Sequence, residues 1–210
     1  DMIITKTPYR IPIGGGGTDQ EFYFKKKGSS FISLTFSEYI YVFVTERKLD
    51  NKIVTQTSDV EFRNNINSLS HPLIKATLKY FKIKNKIHIG TFSTLPTASG
   101  LGLGTSSSFL VGLVHAISIY KKIKLSKMKI AEIAFTIERK ILKLSGGYQD
   151  QYISSLGGLR KFKITKNRKI SSKKINLSPN IENFINKNFI LVYSNKQRKS
   201  EKIIESQKYD

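Results

Sequence analysis

The sequence contains no cysteine and only three histidines in 210 residues. The missing thiols exclude disulfide bonds, thiolate nucleophiles and cysteine-based zinc sites. The histidines, His71, His88 and His115, have no spacing typical of a metal site and belong to no recognisable catalytic triad. We interpret them as ordinary residues.

Long apolar runs are also missing. The longest mostly apolar stretch, Phe109–Tyr120, is far shorter than the ~20 residues that a helix needs to cross a bilayer. The first ten residues, DMIITKTPYR, lack the basic segment and apolar core of a signal peptide. These features predict a soluble cytoplasmic protein, and they leave a homodimer open.

Acidic residues are scarce, with 15 Asp and Glu against 36 Lys and Arg and a net charge of +21. Such an excess is typical of partners of polyanions such as RNA, and the most basic segment is Arg160–Lys174. The other lysines are scattered, however, and they lack the interleaved aromatics and arginines of RNA-binding surfaces. A lysine-rich composition is therefore the favoured interpretation, in which the positive field helps to recruit a phosphorylated small substrate.

The hydrophobic pattern predicts a mixed α+β domain over residues 1–186 and the first strand and helix of a second domain over 187–210. Pro8 and the following glycine run predict an end to the first strand, and the strands at 31–36 and 39–47 are expected to pair with each other. The predicted strands are Ile3–Thr7, Phe31–Phe36, Tyr39–Arg47, Lys52–Thr57, Lys86–Phe92, Leu159–Ile164, Ile175–Leu177 and Asn188–Tyr193. The predicted helices are His71–Phe81, a helix from Ser106, Ser126–Leu144 and Tyr148–Ser155.

A glycine-serine stretch, LPTASGLGLGTSSSFLVGL, occupies residues 95–113 directly before an apolar helical pattern. Glycines adopt positive φ and let a ligand approach the backbone, while the first turn of a helix offers unpaired N–H groups and a positive dipole. This combination favours a phosphate site, and serine hydroxyls are suitable ligands for Mg²⁺. The spacing does not fit a dinucleotide fingerprint, a Walker A loop or a nucleophile elbow. The alternative is a serine-capped helix after a flexible turn.

Two carboxylates follow in the next predicted helices. Glu138 lies on a helical stripe that is otherwise apolar, with Ala131, Phe135 and Leu142. A carboxylate on such a stripe needs a partner, which is either a metal ion or a neighbouring basic residue. Asp150 follows a glycine turn, and it is either a helix cap or a base that anchors an attacking hydroxyl.

A third polar segment contains Arg10, the glycine run at 14–17, Thr18 and Asp19. The glycines allow the loop to lie close to a ligand. Asp19 could accept hydrogen bonds from hydroxyls, and Arg10 could pair with a carboxylate or a phosphate. The alternative for this segment alone is a solvent-exposed hairpin.

Taken together and in this order, the three segments resemble the GHMP kinases, the small-molecule kinase family that includes galactokinase, homoserine kinase and mevalonate kinase. The first motif of that family, which contacts the phosphoryl acceptor, is similar to TPYRIPIGGGGTD, and the second, its phosphate loop, is similar to LPTASGLGLGTSSS. The segment that carries a magnesium-binding Glu and a catalytic Asp is similar to IERKILKLSGGYQDQYISSLGG. The GGGTD and QDQY forms resemble most the sugar-phosphate branch, to which the heptose 7-phosphate kinases belong.

The resemblance implies a two-domain fold whose C-terminal domain is truncated here, and phosphoryl transfer from ATP with Mg²⁺ to a hydroxyl of a phosphorylated sugar. The anomeric hydroxyl of a heptose 7-phosphate is the expected acceptor, and another sugar such as galactose or fucose is the alternative. The alternatives to an active kinase are a catalytically dead relative and a basic nucleic-acid-binding module. The loop has an added Leu-Gly pair and Thr105 in place of the first serine, which leaves open which serine reaches the metal.

The resemblance also implies a role for each matching residue. Asp150 orients or deprotonates the acceptor hydroxyl, and Arg10 stabilises charge beside it. Ser106 and Glu138 hold Mg²⁺. The residues expected around the ATP phosphates are Pro96, Gly100, Leu101, Gly102, Gly104, Thr105, Ser106 and Ser107, and those expected to bind the acceptor are Gly16, Gly17, Thr18 and Asp19.

Overall fold

The computed structural model of the protein describes residues 1–95 and 102–192. Its strands are β1 (Ile3–Gly14), β2 (Ser29–Glu46), β3 (Ile53–Gln56), β4 (Val60–Arg63), β5 (Ile87–Ser93), β6 (Leu159–Ile164) and β7 (Ile170–Lys174). Its α-helices are α1 (Glu21–Lys27), α2 (Pro72–Tyr80), α3 (Thr105–Tyr120), α4 (Lys127–Phe135), α5 (Gln149–Leu156) and α6 (Pro179–Asn188). A π-helical segment, Thr136–Ile141, continues α4, and a short 3₁₀ turn, Ile66–Ser68, precedes α2.

The strands form one seven-stranded sheet organised around β2. Strand β1 pairs with β2 over most of its length, whereas β6 pairs with the first part of β2 and β5 with the last part. The remaining strands extend the sheet on either side, in the order β4-β3-β5-β2-β6-β7. All pairs are antiparallel except β3 with β5, which is parallel.

The prediction of two paired strands at 31–36 and 39–47 is wrong, because both segments belong to the single strand β2. Strand β1 likewise continues through Pro8 to Gly14 and pairs along both halves of β2. The irregularity is a bulge: Pro8 lies opposite Tyr39, but Arg10 lies opposite Thr35, so β2 has two extra residues there. Proline is tolerated in β1 because, within the described residues, that strand pairs with β2 alone.

Two other predicted strands also differ from the structure. The strand expected at 175–177 lies instead at Ile170–Lys174, because the connection over 165–169 closes the hairpin early, with the Lys169 amide donating to the Thr165 hydroxyl. The strand expected at 188–193 is absent over its described part: Asn188 ends helix α6, and residues 189–192 have no regular structure and no strand partner. The domain boundary at 186/187 stays a prediction.

Helix α3 lies against β1 and β2 and connects the core to the glycine-serine stretch. It is apolar around most of its surface, as is typical of a helix that packs on all sides, and residues such as Leu110, Leu113 and Ile117 are fully buried. At Gly112 the helix approaches the sheet so closely that a Cβ would lie 2.8 Å from the Thr7 hydroxyl, and the Gly112 carbonyl accepts from Thr5 at 2.9 Å. This packing determines where the first turn of α3 lies.

A second, smaller core packs α5 and the α1 region onto β6. Phe31 and Phe162 stack with their ring centroids 4.9 Å apart, and Tyr152 and Ile153 of α5 are buried in the same cluster. The burial of such a side chain contributes about 1.5–3 kcal/mol. Within the two described ranges, no helix is long and apolar enough to cross a membrane.

Candidate active site

The first turn of α5 contacts all three segments that the sequence predicts to be functional, including the serines of α3, since Nε2 of Gln151 donates to the Ser107 hydroxyl at 3.2 Å. The amide of Gln149 donates to Oδ2 of Asp19 at 2.9 Å, and Asp150 accepts from Arg10. The side-chain amide of Gln151 donates to Oε2 of Glu138 at 2.6 Å. Three successive residues therefore contact the glycine loop, strand β1 and the π-helical segment, and they bring the predicted site residues of these segments together.

Arg10 and Asp150 form a charge-assisted hydrogen bond at the centre of this arrangement. Nε of Arg10 lies 2.7 Å from Oδ1 of Asp150, and Nη1 donates to the Gly102 carbonyl at 2.6 Å. The side chains are 13% and 23% exposed, respectively, so the pair is partly shielded from water. Burial alone would raise the pKa of Asp150, but the charge and hydrogen bond of Arg10 outweigh it and hold that pKa below its ordinary value of 3.8. Asp150 is therefore ionised at neutral pH.

Glu138 is buried, with 3% of its surface exposed, and its main partners are neutral donors. Oε2 accepts from Ser107 at 2.8 Å as well as from Gln151, whereas Oε1 accepts from Ser106 at 3.2 Å. The alternative partner suggested by the sequence is also present, since Nη1 of Arg139 lies 3.8 Å from Oε1. The π-helical segment, a feature frequent at functional sites, carries Glu138 and directs it towards α3.

The glycine loop joins β1 to α1 and is therefore not a hairpin, although Gly14, Gly15 and Gly16 are exposed. The Thr18 hydroxyl closes a turn by donating to the Gly15 carbonyl at 2.7 Å, and the chain then enters α1. Asp19 is only 4% exposed, and burial raises its pKa, opposed by the hydrogen bond from the Gln149 amide. A Cβ at Gly147 would overlap the Asp19 carboxylate, so a glycine is required for this approach. Gly16 and Gly17 lie in the same loop, where a Cβ at Gly16 would meet open space.

Of the residues expected around the phosphates, Pro96, Gly100 and Leu101 lie outside the described residues. Gly102 and Gly104 have φ of +73° and +72°, a conformation that glycine adopts without strain. A Cβ at Gly104 would lie 3.0 Å from Nε of Arg10, so this glycine also makes room for the guanidinium.

Thr105, Ser106 and Ser107 form the first turn of α3, where backbone N–H groups are available for an anion. Ser106 is exposed, whereas Ser107 is buried beside Glu138. The Thr105 hydroxyl is buried without a hydrogen-bond partner among the described residues. The turn thus combines exposed and buried donors next to a carboxylate.

The side chains of Ser106 and Glu138 fit a Mg²⁺ ion that is also bound by substrate phosphates. They are too few to hold a metal ion by themselves. Within residues 1–95 and 102–192, no three His, Asp or Glu side chains cluster as a metal site. Ser106 and Glu138 supply hard oxygen atoms, and Mg²⁺ is usually held by one or two carboxylates together with substrate phosphates.

A cavity of about 260 Å³ lies beside the site between α1 and the turn that precedes α5. Of the described predicted site residues, only Asp19 lines it, together with aromatic side chains such as Phe24, Phe135 and Tyr148. Its lining contains none of the described residues of the α3 turn. We therefore assign the site to the Ser106–Glu138–Asp150 cluster and not to this cavity.

Sequence reasoning missed Gln151, and it included Arg139 only among the basic neighbours that could pair with Glu138. Arg139 donates to the Ser145 carbonyl at 2.5 Å and so holds the turn that joins Glu138 to α5. The only local signal for Gln151 is its position directly after Asp150, and a neutral polar residue in a helix has no distinctive pattern. His71 and His88, interpreted as ordinary, each have a buried ring nitrogen without a partner among the described residues.

Comparisons with known proteins find relatives among small-molecule kinases. Residues 71–158 match the model of the family described as the GHMP kinases N terminal domain. The chain is 30% identical to the D-glycero-alpha-D-manno-heptose 7-phosphate kinase of Campylobacter jejuni, over 98% of this chain and 63% of that protein. The chain thus spans less than two thirds of the length of this relative.

Solved structures share the fold. A D-glycero-D-manno-heptose 1-phosphate kinase from Bacteroides thetaiotaomicron superimposes with a TM-score of 0.77 at 25% identity, over 86% of this chain and 62% of that one. The mevalonate kinase of Methanococcus jannaschii gives a TM-score of 0.63 at 21% identity, over 84% and 56%, which supports the fold alone. The predicted α+β, GHMP-kinase-like fold is confirmed, and residues 71–158 match the N-terminal domain of the GHMP kinases.

Proposed function

We propose that the chain forms the nucleotide- and acceptor-binding domain of a kinase that transfers a phosphoryl group from ATP to the anomeric hydroxyl of a heptose 7-phosphate. One observation carries the proposal: the first turn of α5 joins Asp150 and Arg10 to Glu138 and the serines of α3. A phosphate-binding turn, a buried carboxylate and an ionised carboxylate thus meet within one cluster. Phosphoryl transfer requires mainly positioning and charge neutralisation, which such a cluster provides.

Asp150 acts on the acceptor hydroxyl. Because Arg10 lowers its pKa, the carboxylate is a weak base towards a sugar hydroxyl. We therefore infer that it first orients the hydroxyl by accepting its hydrogen bond and takes the proton late, as the new O–P bond forms. This order suits a loose transition state in which the nucleophile contributes little bonding at first.

The first turn of α3, from Thr105 to Ser107, binds the phosphates through its N–H groups and through the exposed hydroxyl of Ser106. Ser106 and Glu138 would hold Mg²⁺, with Oε1 as the carboxylate oxygen nearer to the exposed serine. The ion, when bound, neutralises negative charge on the transferred group.

The acceptor assignment rests on the names of the two heptose kinases to which the chain is similar, which agree on the heptose and differ in the position of its phosphate. The loop with Asp19 and Thr18 lies next to α5, as a hydroxyl-binding loop requires. The net charge of +21 favours a phosphorylated acceptor, and we expect the enzyme to work in the cytoplasm.

The test is ADP release by the whole kinase that contains this domain, with ATP, Mg²⁺ and a panel of acceptors: heptose 7-phosphate, heptose 1-phosphate, galactose and fucose. We expect turnover with heptose 7-phosphate and a product whose new phosphate is anomeric by ³¹P NMR. Asp150→Asn should lower kcat by about 10²–10⁴-fold. The absence of ADP release with every sugar would refute the kinase, whereas turnover only with galactose or fucose would refute the heptose.

A second candidate, nucleic-acid binding, is favoured by one observation in the β6–β7 hairpin. Two pairs of like charges lie directly opposite each other, Arg160 with Lys174 and Lys161 with Lys173, an arrangement that is unfavourable without a counter-charge. Nucleic-acid binding is the second candidate because it does not involve the carboxylate cluster: among the described residues, none of these four side chains bonds to Glu138 or Asp150. RNA binding that weakens steeply with salt and is unaffected by ATP would support it.

A further inference from the structure

The side chain of Gln151 is fully buried, with 0% of its surface exposed, and lies between α5, α3 and the π-helical segment. Its Nε2 donates to Oε2 of Glu138 at 2.6 Å and lies 3.2 Å from the Ser107 hydroxyl oxygen. The Ser107 hydroxyl in turn donates to the same Oε2 at 2.8 Å. One carboxylate oxygen of Glu138 is therefore occupied by two buried donors.

The orientation of the amide follows from these contacts. Rotating the amide by half a turn would place its carbonyl oxygen against a carboxylate oxygen, which is repulsive, so the nitrogen has to face Glu138. Oε1 of Gln151 is buried without a partner among the described residues. A buried acceptor without a hydrogen bond destabilises the fold. This orientation of the amide is retained because its nitrogen, at the other end, donates to Glu138.

The two oxygens of Glu138 consequently have different environments. Oε2 accepts short hydrogen bonds from groups sealed in the core. Oε1 has a longer bond, 3.2 Å, to Ser106, which is exposed, and lies 3.8 Å from Arg139. We propose that Gln151 is a positioning residue: it holds Oε2 and thereby presents Oε1, together with the Ser106 hydroxyl, to the metal of the nucleotide complex. This inference rests on the proposed function.

Helix α5 provides a matched control for a merely structural role. Gln149, two residues earlier, is also buried, at 6% exposure, and its Nε2 bonds to the Ser33 hydroxyl at 3.2 Å. Replacing its side chain removes a buried amide bond from the same helical turn without touching Glu138. Its backbone amide, which binds Asp19, is retained in any variant except proline.

The experiment compares Gln151→Met with Gln149→Met and the wild type, using Mn²⁺ with ADP as the probe and measuring free Mn²⁺ by electron paramagnetic resonance. Methionine has a similar length and fills the same space without a donor. We expect Mn²⁺ affinity to fall about 10–100-fold in Gln151→Met, the usual effect of removing a group that orients a metal ligand. Gln149→Met should bind Mn²⁺ within about twofold of the wild type, although its Tm also falls.

Each outcome has a distinct meaning. Equal Mn²⁺ affinities in Gln151→Met and the wild type, or equal losses in the two variants, would overturn the positioning role and leave the kinase proposal intact. No Mn²⁺ binding by the wild type would refute the metal site itself and the positioning role with it. If Gln151→Met does not fold, Gln151→Asn keeps an amide that ends one methylene short of Oε2, and the same loss of affinity is expected.

Discussion

Replacing Arg10 by methionine tests how strongly the Arg10–Asp150 pair stabilises the domain. The change removes the 2.7 Å hydrogen bond from Nε to Asp150 and the 2.6 Å bond from Nη1 to the Gly102 carbonyl. Both bonds have the charged guanidinium as donor, and a hydrogen bond that involves a charged group is worth about 1.5–3 kcal/mol. Partial exposure of both side chains, 13% and 23%, places the expected total near the lower end, about 2–3 kcal/mol at pH 7.

The loss of stability in Arg10→Met should depend on pH, because Asp150 titrates differently in the two proteins. In the wild type the pKa of Asp150 is lowered, so its ionised form contributes stability that is present above the ordinary value of 3.8 and is lost as the pH falls through the folded-state value. In Arg10→Met, burial is opposed only by the charge of Arg139, so we expect the pKa of Asp150 to rise and the ionised carboxylate to destabilise the fold at neutral pH. The difference in unfolding free energy between the two proteins should therefore be largest at pH 7 and narrow as the pH falls towards 4.

The assay is urea denaturation of both proteins at pH 7, 5.5 and 4.5, with the free energy of unfolding extrapolated to water. Arg47→Met is the control, because Arg47 pairs with Asp50 only three residues away and both side chains are more exposed, at 25% and 32%, so its loss should have a smaller effect. A difference for Arg10→Met that stays constant with pH, or that equals the effect of the control, would refute the assigned role of the pair.

Three further predictions concern close approaches around the site and the sheet edge. Gly104→Ala forces a side chain into φ of +72° and to 3.0 Å from Arg10, so we expect a loss of about 1–3 kcal/mol by urea denaturation; an unchanged midpoint would contradict the assigned geometry. Gly147→Ala should displace the Asp19 carboxylate and raise KM for the acceptor more than KM for ATP in steady-state kinetics, and equal changes would count against acceptor binding by this loop. Lys173→Glu replaces one of two lysines that face each other across β6 and β7, and it should raise the free energy of unfolding by roughly 0.2–1 kcal/mol; no gain in low salt would mean that the pair does not repel.

Local patterns predicted the elements whose signals are contained in a few residues. Ser126 caps α4 as expected, with its hydroxyl accepting from the Lys129 amide, and Gly157 ends α5 with φ of +71°. The strand at 39–47 was also recognised, but its continuity with 31–36 was not. The bulge in β2 near Pro8 has no recognisable sequence signature, because it arises from the way β1 pairs with β2.

The candidate site was predictable as a set of residues but not as a set of contacts. Asp19 lies far in sequence from Glu138 and Asp150, and helical periodicity does not predict which groups will contact these carboxylates. Binding of the acceptor by Asp19 stays a prediction. The Asp19 carboxylate is largely buried and accepts a hydrogen bond from the Gln149 amide. Gln151 was missed because its importance comes entirely from its neighbour Glu138.

The sequence by itself determined the local features: glycines at positions that need positive φ, a serine-rich first turn of α3 and a carboxylate in an apolar helical stripe. These features follow from the conformational limits of single residues and from helical periodicity, which act over a few positions. Only the tertiary structure decided that Arg10 pairs with Asp150 and that one oxygen of Glu138 is bound by Gln151 and Ser107 while the other lies near Ser106. These contacts depend on how α3 packs against β1 and β2, and on how α5 packs against all three. Most of them join residues more than thirty positions apart in sequence, so only the close packing of the folded chain brings their side chains together.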